Sequence, residues 1–160
     1  MAGPVHPDRK ELTKLRAMAD YLFGRGAGRA LFPDSVNVVK SSGRIRQVLL
    51  GGEPVCAIRA SDGHIKLNRR GAELLHSAFP PPRLRVVISE EAVPFAGSGR
   101  TVFAPHVKSA DPEIRPGEEV LVVDEEDRLI ASGTAILSGE EMSAFRHGMA
   151  VAVRRGYRSG

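Results

Sequence analysis

Apolar positions recur at three- and four-residue spacings early in the chain, alternate with glycine turns through its middle, and condense into short solid runs near its end. The first pattern, Leu12, Leu15, Ala19, Leu22 and Phe23, predicts an amphipathic helix. Asp8-Arg-Lys-Glu11 ahead of it is a capping box: Asp8 accepts from first-turn amides, Glu11 reaches back to the cap, and Gly24 stands where a C-terminal glycine cap belongs. Between residues 35 and 67, β-prone stretches at 36–39, 45–50, 55–59 and 64–67 are separated by Ser42-Gly43, Gly51-Gly52 and Ser61-Asp62-Gly63, the spacing of an antiparallel meander. Asn68 is then expected to cap a short helix over 69–79 with Ala72, Leu75 and Phe79 on its apolar face. Helix, meander and helix make an α+β domain over residues 1–80.

Pro80-Pro81-Pro82 cannot be helical and is stiff, so it ends the first domain and sets a spacer. Beyond it the pattern turns mostly β over 84–156. A strand is expected at 84–88 and a helical turn at 90–95. Pro116-Gly117 supplies a type II turn, and runs at 120–123 and 129–137 form a hairpin around Asp124-Glu-Glu-Asp127, which reads as a solvated tip. A closing strand at 150–153 ends in Arg154 and Arg155.

Charge changes this picture more than composition does. The net charge of +4 conceals an asymmetry: residues 1–83 hold 14 Lys+Arg against 7 Asp+Glu, and residues 84–160 hold 9 against 12, giving +7 and −3. A half with that excess attracts phosphate backbones through counterion release, or is simply a soluble basic domain. Cys56 is the only cysteine of 160 residues, which excludes an internal disulfide and a multi-cysteine zinc site; inside Val55-Cys-Ala-Ile58 it reads as a buried small hydrophobe. Amides are scarce and arginines many, a composition of thermophilic proteins. No apolar run approaches a membrane span and the N-terminus lacks a signal-peptide core, so a cytoplasmic, membrane-free protein is expected.

Catalytic chemistry has few footholds. The five histidines fall into no ligand spacing, and Asp124–Asp127 lacks the frame of a calcium loop. The glycines of Gly24-Arg-Gly-Ala-Gly-Arg29 read as a tight turn projecting Arg25 and Arg29, because the P-loop spacing is missing. Gly97-Ser-Gly-Arg-Thr101 fails as a P-loop too, with Pro94 at the upstream glycine position and Arg100 in place of lysine. No nucleophile elbow surrounds Ser98 or Ser138. No cofactor, metal or enzymatic activity is expected.

Asp111-x-x-Ile-Arg-Pro-Gly-Glu-Glu-Val-Leu-Val-Val-Asp124, then Leu129-Ile-Ala-x-Gly133 and Ser138-Gly-Glu-Glu-Met142, resembles the PUA domain, a small pseudo-barrel that binds structured RNA. Upstream, Ala19-Asp-Tyr-x-Phe-Gly-x-Gly-Ala-Gly28, Gly43-Arg-Ile-Arg46 and Ile58-Arg-Ala-x-Asp-Gly63 resemble the small domain that precedes PUA in archaeosine tRNA-guanine transglycosylases of archaea. Together the likenesses cover nearly the whole chain. Such enzymes keep their catalytic carboxylates and zinc-binding cysteines in a barrel of about 250 residues, for which this chain has no room.

The resemblance implies a glycine loop through which RNA backbone approaches closely, here Gly97, Ser98, Gly99 and Arg100, with Phe103 and Lys108 flanking and Arg154 at the end of the closing strand. Phe103 reads first as core beside Val102 and Val107, and second as a stacking platform. In the basic half, Arg44 and Arg46 flank Ile45 and share a strand face. Arg69 and Arg70 stand in the first turn of a helix, where cations are disfavoured, which favours an external anion there, although solvated arginines are the first reading for this pair and for Arg44 and Arg46; Arg25 and Arg29 join these candidates. The expected function is non-catalytic binding of structured RNA, tRNA first. Two alternatives are a tRNA-binding subunit acting in trans with a separate transglycosylase catalytic subunit, and a ribosome-associated translation factor.

Overall fold

In the computed structural model, which describes residues 3–157, Asp8 accepts from the Glu11 amide at 2.7 Å and the Glu11 carboxylate accepts from the Asp8 amide at 3.0 Å. The capping box therefore launches α1 (Arg9–Phe23), which buries Leu12, Leu15, Ala19 and Phe23, the stripe its periodicity predicts. The described residues divide into two compact units between Ala78 and Phe79.

In the first unit the glycines after α1 make the expected tight turn: the Ala27 amide donates to the Gly24 carbonyl at 3.1 Å, with Gly24 at φ 105° and Gly26 at φ 99°. A short helix that the sequence did not announce, α2 (Ala27–Leu31), follows it. It packs closely on α1: a Cβ on Gly28 would stand 2.3 Å from the Arg16 carbonyl oxygen, and the Gly28 amide donates to the Asp20 carboxylate at 2.7 Å. Only glycine lets α2 lie this near α1.

The meander follows as β1 (Asn37–Ser41), β2 (Arg44–Leu50), β3 (Glu53–Ile58) and β4 (Ile65–Leu67), an antiparallel sheet in sequence order. Val38, Val48, Val55, Cys56, Ile65 and Leu67 are fully buried or nearly so; burial pushes the Cys56 thiol up to about 12. Helix α3 (Arg69–Ala78) sits on β3, where a Cβ at Gly71 would meet the Val55 carbonyl oxygen at 2.2 Å. The expected side-chain cap is not made. Asn68 holds the cap position through its backbone, its carbonyl accepting from Ala72 at 3.0 Å and its amide donating to Val55 at 2.9 Å, while its Oδ1 is buried without a hydrogen-bond partner.

The second unit is a nearly closed mixed sheet, a pseudo-barrel, in the order β6-β10-β9-β8-β5-β7. Its strands are β5 (Arg85–Ile88), β6 (Val102–Phe103), β7 (Val107–Ala110), β8 (Glu119–Val123), β9 (Leu129–Ala135) and β10 (Met149–Gly156), with helices α4 (Val93–Gly97) and α5 (Gly139–Ala144). β5 runs parallel to β8, and the other pairings are antiparallel. Every residue of β8 is buried, which is why its sequence is a solid run rather than an alternation. The Glu118 amide donates to Arg115 at 3.1 Å across Pro116-Gly117, with Gly117 at φ 89°, as the expected type II turn requires. Ser138 and Glu141 form a second capping box, at the start of α5.

Only the middle of the Asp124–Asp127 turn, Glu125 and Glu126, is the expected solvated tip. Asp124 is buried and accepts from the amides of Glu126 and Arg128 and from the Arg128 guanidinium, at 3.0, 2.8 and 2.7 Å. Asp127 turns inward to the buried Arg85. Strands β6 and β7, and the full length of β10, exceed what short runs broken by Pro105 and Arg154 announced.

Candidate nucleic-acid interface

Ala92, Ala96 and Gly97 bury the inner side of the segment around α4, leaving Pro94 and Phe95 outside. At its end the amides of Ser98, Gly99 and Arg100 turn back to carbonyls of α4: Ser98 to Pro94 at 3.2 Å, Gly99 to Ala96 at 3.0 Å and Arg100 to Phe95 at 3.0 Å. Gly99 closes the turn at φ 97°. The glycine loop is thus the C-terminal cap of α4. Its amides are spent on that cap, so the expected backbone cradle for a phosphate is not formed, and what the segment presents to solvent is side chains.

Those side chains line an open groove of about 460 Å³ formed by Phe95, Arg100, Thr101, Phe103 and His106 over a floor that includes Ala92 and Val102. Phe103 is 48% exposed and Phe95 56%. The reading of Phe103 as core is overturned by strand alternation: β6 turns Val102 inward, so Phe103 faces out, in register with the exposed Met149 of β10. Among the described residues no carboxylate pairs with the Arg100 guanidinium, and His106 Nδ1 stands 3.9 Å from Glu91 Oε1. Two half-exposed rings beside an uncommitted cation can stack on bases and meet phosphate.

The remaining expected residues scatter. Lys108 is exposed on β7, outside the groove's lining. Arg154 is held by the buried Glu119, with Nη1 at 2.9 Å from Oε2 and a second bond from Nη2 to Oε1, so it ties β10 to β8 rather than standing ready for an anion. Arg69 and Arg70 both stand near Glu73 within α3, at 3.4 and 4.0 Å. Arg25 and Arg29 are exposed around the start of α2. Arg44 and Arg46 line a separate groove in the first unit.

Sequence reasoning missed Phe95, His106 and Gly156. A Cβ on Gly156 would stand 2.1 Å from the Gly97 carbonyl oxygen, so it is Gly156 that lets β10 close against the end of α4. No signal marked Phe95, since helical periodicity puts a residue three after Ala92 on the Ala92-Ala96 face.

Residues 13–82 match the family model of the patch-forming domain C2 of tRNA-guanine transglycosylase, and residues 84–157 match that of the PUA domain. The tRNA-guanine(15) transglycosylase of Methanothermobacter thermautotrophicus is 43% identical over 156 residues, 96% of this chain and 24% of the relative. That of Pyrococcus abyssi is 49% identical over 144 residues, 90% of this chain and 24% of the relative. The chain thus spans about a quarter of these relatives' length, and matches their C-terminal part. Among solved structures, a hypothetical protein from Pyrococcus horikoshii superposes with a TM-score of 0.75 at 27% identity, over 98% of this chain and 94% of that one. A PUA domain protein from Thermoplasma acidophilum shares the fold with a TM-score of 0.70 at 24% identity, over 96% and 93%. Among the described residues no helix is long and apolar enough to cross a membrane, and no group of three His, Cys, Asp or Glu side chains could hold a metal ion.

Proposed function

This chain joins a member of the tRNA-guanine transglycosylase C2 domain family to a member of the PUA domain family, and from that premise we propose that it is a non-catalytic protein that binds structured RNA, tRNA first. The observation that carries the reading is the α4–β6 groove, where Phe95 and Phe103 stay half-exposed beside Arg100 and His106 while the barrel's own core is filled by Val86, Ile88, Val120, Val122, Ile130 and Val151. Rings that the core does not need, next to a cation that no carboxylate neutralises, suit a ligand that is both anionic and aromatic. The domain boundary is placed at Pro80–Pro82, and Arg25, Arg29, Arg44 and Arg46 are assigned supporting contacts from the basic half.

Filter binding to transcribed tRNA tests this. Affinity is expected to fall steeply with salt, each neutralised phosphate adding about 0.7 to 0.9 to the slope. No binding at low salt overturns it.

A second reading is favoured by the 43–49% identity to the C-terminal part of the transglycosylases: the chain supplies tRNA binding in trans to a separate catalytic barrel. Co-purification of such a barrel and acceleration of guanine exchange into tRNA support it, whereas an unchanged exchange rate leaves the plain binding protein.

A further inference from the structure

We propose that the first unit carries a second, aromatic-free groove that takes the sugar–phosphate backbone of a base-paired RNA arm. This rests on the RNA-binding reading and adds to it the place and the form of the ligand. The groove, about 530 Å³ and open to solvent, lies between α1, β2 and the turn joining β3 to β4. Lys14 enters from α1, and Arg44 and Arg46 from the start of β2, where a bulge leaves Arg46 opposite no residue of β1.

Two acids also line it, and both are already committed. Glu11 is ion-paired to Lys40 at 2.6 Å and accepts from the Asp8 amide; the Lys40 bond holds its carboxyl below the usual range. Asp62 takes a bidentate pair from Arg59 at 2.9 and 2.7 Å and a third bond from the His64 amide at 3.0 Å, so it too stays ionised and saturated. Among the described residues no carboxylate pairs with Lys14, Arg44 or Arg46. Three uncommitted cations around a concave surface focus a positive field there.

The lining decides the form of the ligand. Its uncharged part is Leu15, Met18, Ile45, Ile58 and small residues of the turns, with no aromatic ring. Single-stranded RNA is held mainly by stacking its bases on rings, whereas a base-paired stem is held through phosphates and 2′-hydroxyls. A groove with cations, a rim hydroxyl at Ser61 and nothing to stack on fits the stem.

The test uses the full chain and two probes, transcribed tRNA and a blunt RNA duplex of about 16 base pairs, the span a double-stranded RNA module covers. A Lys14→Gln/Arg44→Gln/Arg46→Gln variant changes solvent-facing groups and is checked by circular dichroism. A control variant neutralises Arg9, Lys10 and Lys66, which lie outside the groove. The groove variant is expected to lose about 2 to 3 from the tRNA salt slope and to lose binding to the duplex, while the control keeps most of both. Parental duplex binding by the groove variant, or an equal loss in the control, overturns the inference while tRNA binding by the parent stands. Absence of tRNA binding by the parent instead removes the functional reading beneath it.

Discussion

Arg85 and Asp127, 42 residues apart, form a two-pronged ion pair, with Nε 2.9 Å from Oδ1 and Nη2 3.2 Å from Oδ2, although the Arg85 side chain is only 2% exposed. The same guanidinium donates to the carbonyls of Phe79 and Arg83 at 2.8 and 3.1 Å. The polar turn between β8 and β9 is therefore bound to the strand that starts the second unit. Asp127→Ala leaves a buried cation short of its counterion and is expected to cost about 3 kcal/mol, the low end for a broken buried pair because Asp127 itself is 36% exposed. Asp127 also sits at φ 61°, so Asp127→Asn keeps a residue that tolerates this backbone and isolates the charge. Urea unfolding in which both variants match the parent would show that the pair contributes nothing.

Gly156 makes a second, purely steric prediction. Gly156→Ala puts a methyl where the Gly97 carbonyl oxygen already stands, and backbone cannot swing aside as a side-chain tip can. A loss of about 1 to 3 kcal/mol is expected, as for overpacking elsewhere. A thermal midpoint within a degree of the parent would refute the contact.

Elements written in periodicity or local capping chemistry were legible in the sequence. The Asp8 box, the Leu12–Phe23 stripe, the four-strand meander and the turn at Pro116-Gly117 each depend on neighbours a few residues away, and the structure has all of them. What the sequence concealed depends on distant partners. The acidic turn looked solvated because Arg85 lies far upstream, Arg154 looked uncommitted because Glu119 sits on β8, and the packing of α2 on α1 was hidden because the Arg16 backbone that Gly28 approaches is on another helix. The groove was half-legible: Arg100 and Phe103 were singled out, but the capping of α4 that consumes the loop amides was not.

Asp124 gives a pH prediction. Burial raises its carboxyl, but bonds from the Arg128 amide and guanidinium and from the Glu126 amide outweigh this and hold it below the usual carboxylate value. The folded protein then binds fewer protons at this site than the unfolded chain, so the contribution is complete above the unfolded value of about 4 and is lost as pH falls through the depressed folded value. Asp124→Asn is expected to be about 2 kcal/mol less stable than the parent at pH 7, with the gap narrowing below about pH 4. Denaturation curves showing the same gap at pH 7 and pH 3 would assign the loss to something other than the carboxylate's charge.

The α4–β6 groove separates charge from stacking. Arg100→Ala removes one uncommitted guanidinium and is expected to lower the salt slope of tRNA binding by about 0.7 to 0.9, with little change in fold. Phe103→Ala removes a half-exposed ring and should weaken binding by about 1 to 3 kcal/mol at every salt concentration, because stacking is not screened. Gly99→Val behaves as neither. Nothing stands within 4 Å of a Cβ there, so the added side chain blocks no protein contact, but φ 97° is a backbone that valine resists, and the variant is expected to lose thermal stability. If Phe103→Ala binds tRNA as the parent does while Arg100→Ala alone weakens it, the groove contacts phosphate without a base against its rings, and the aromatic part of the site is wrong.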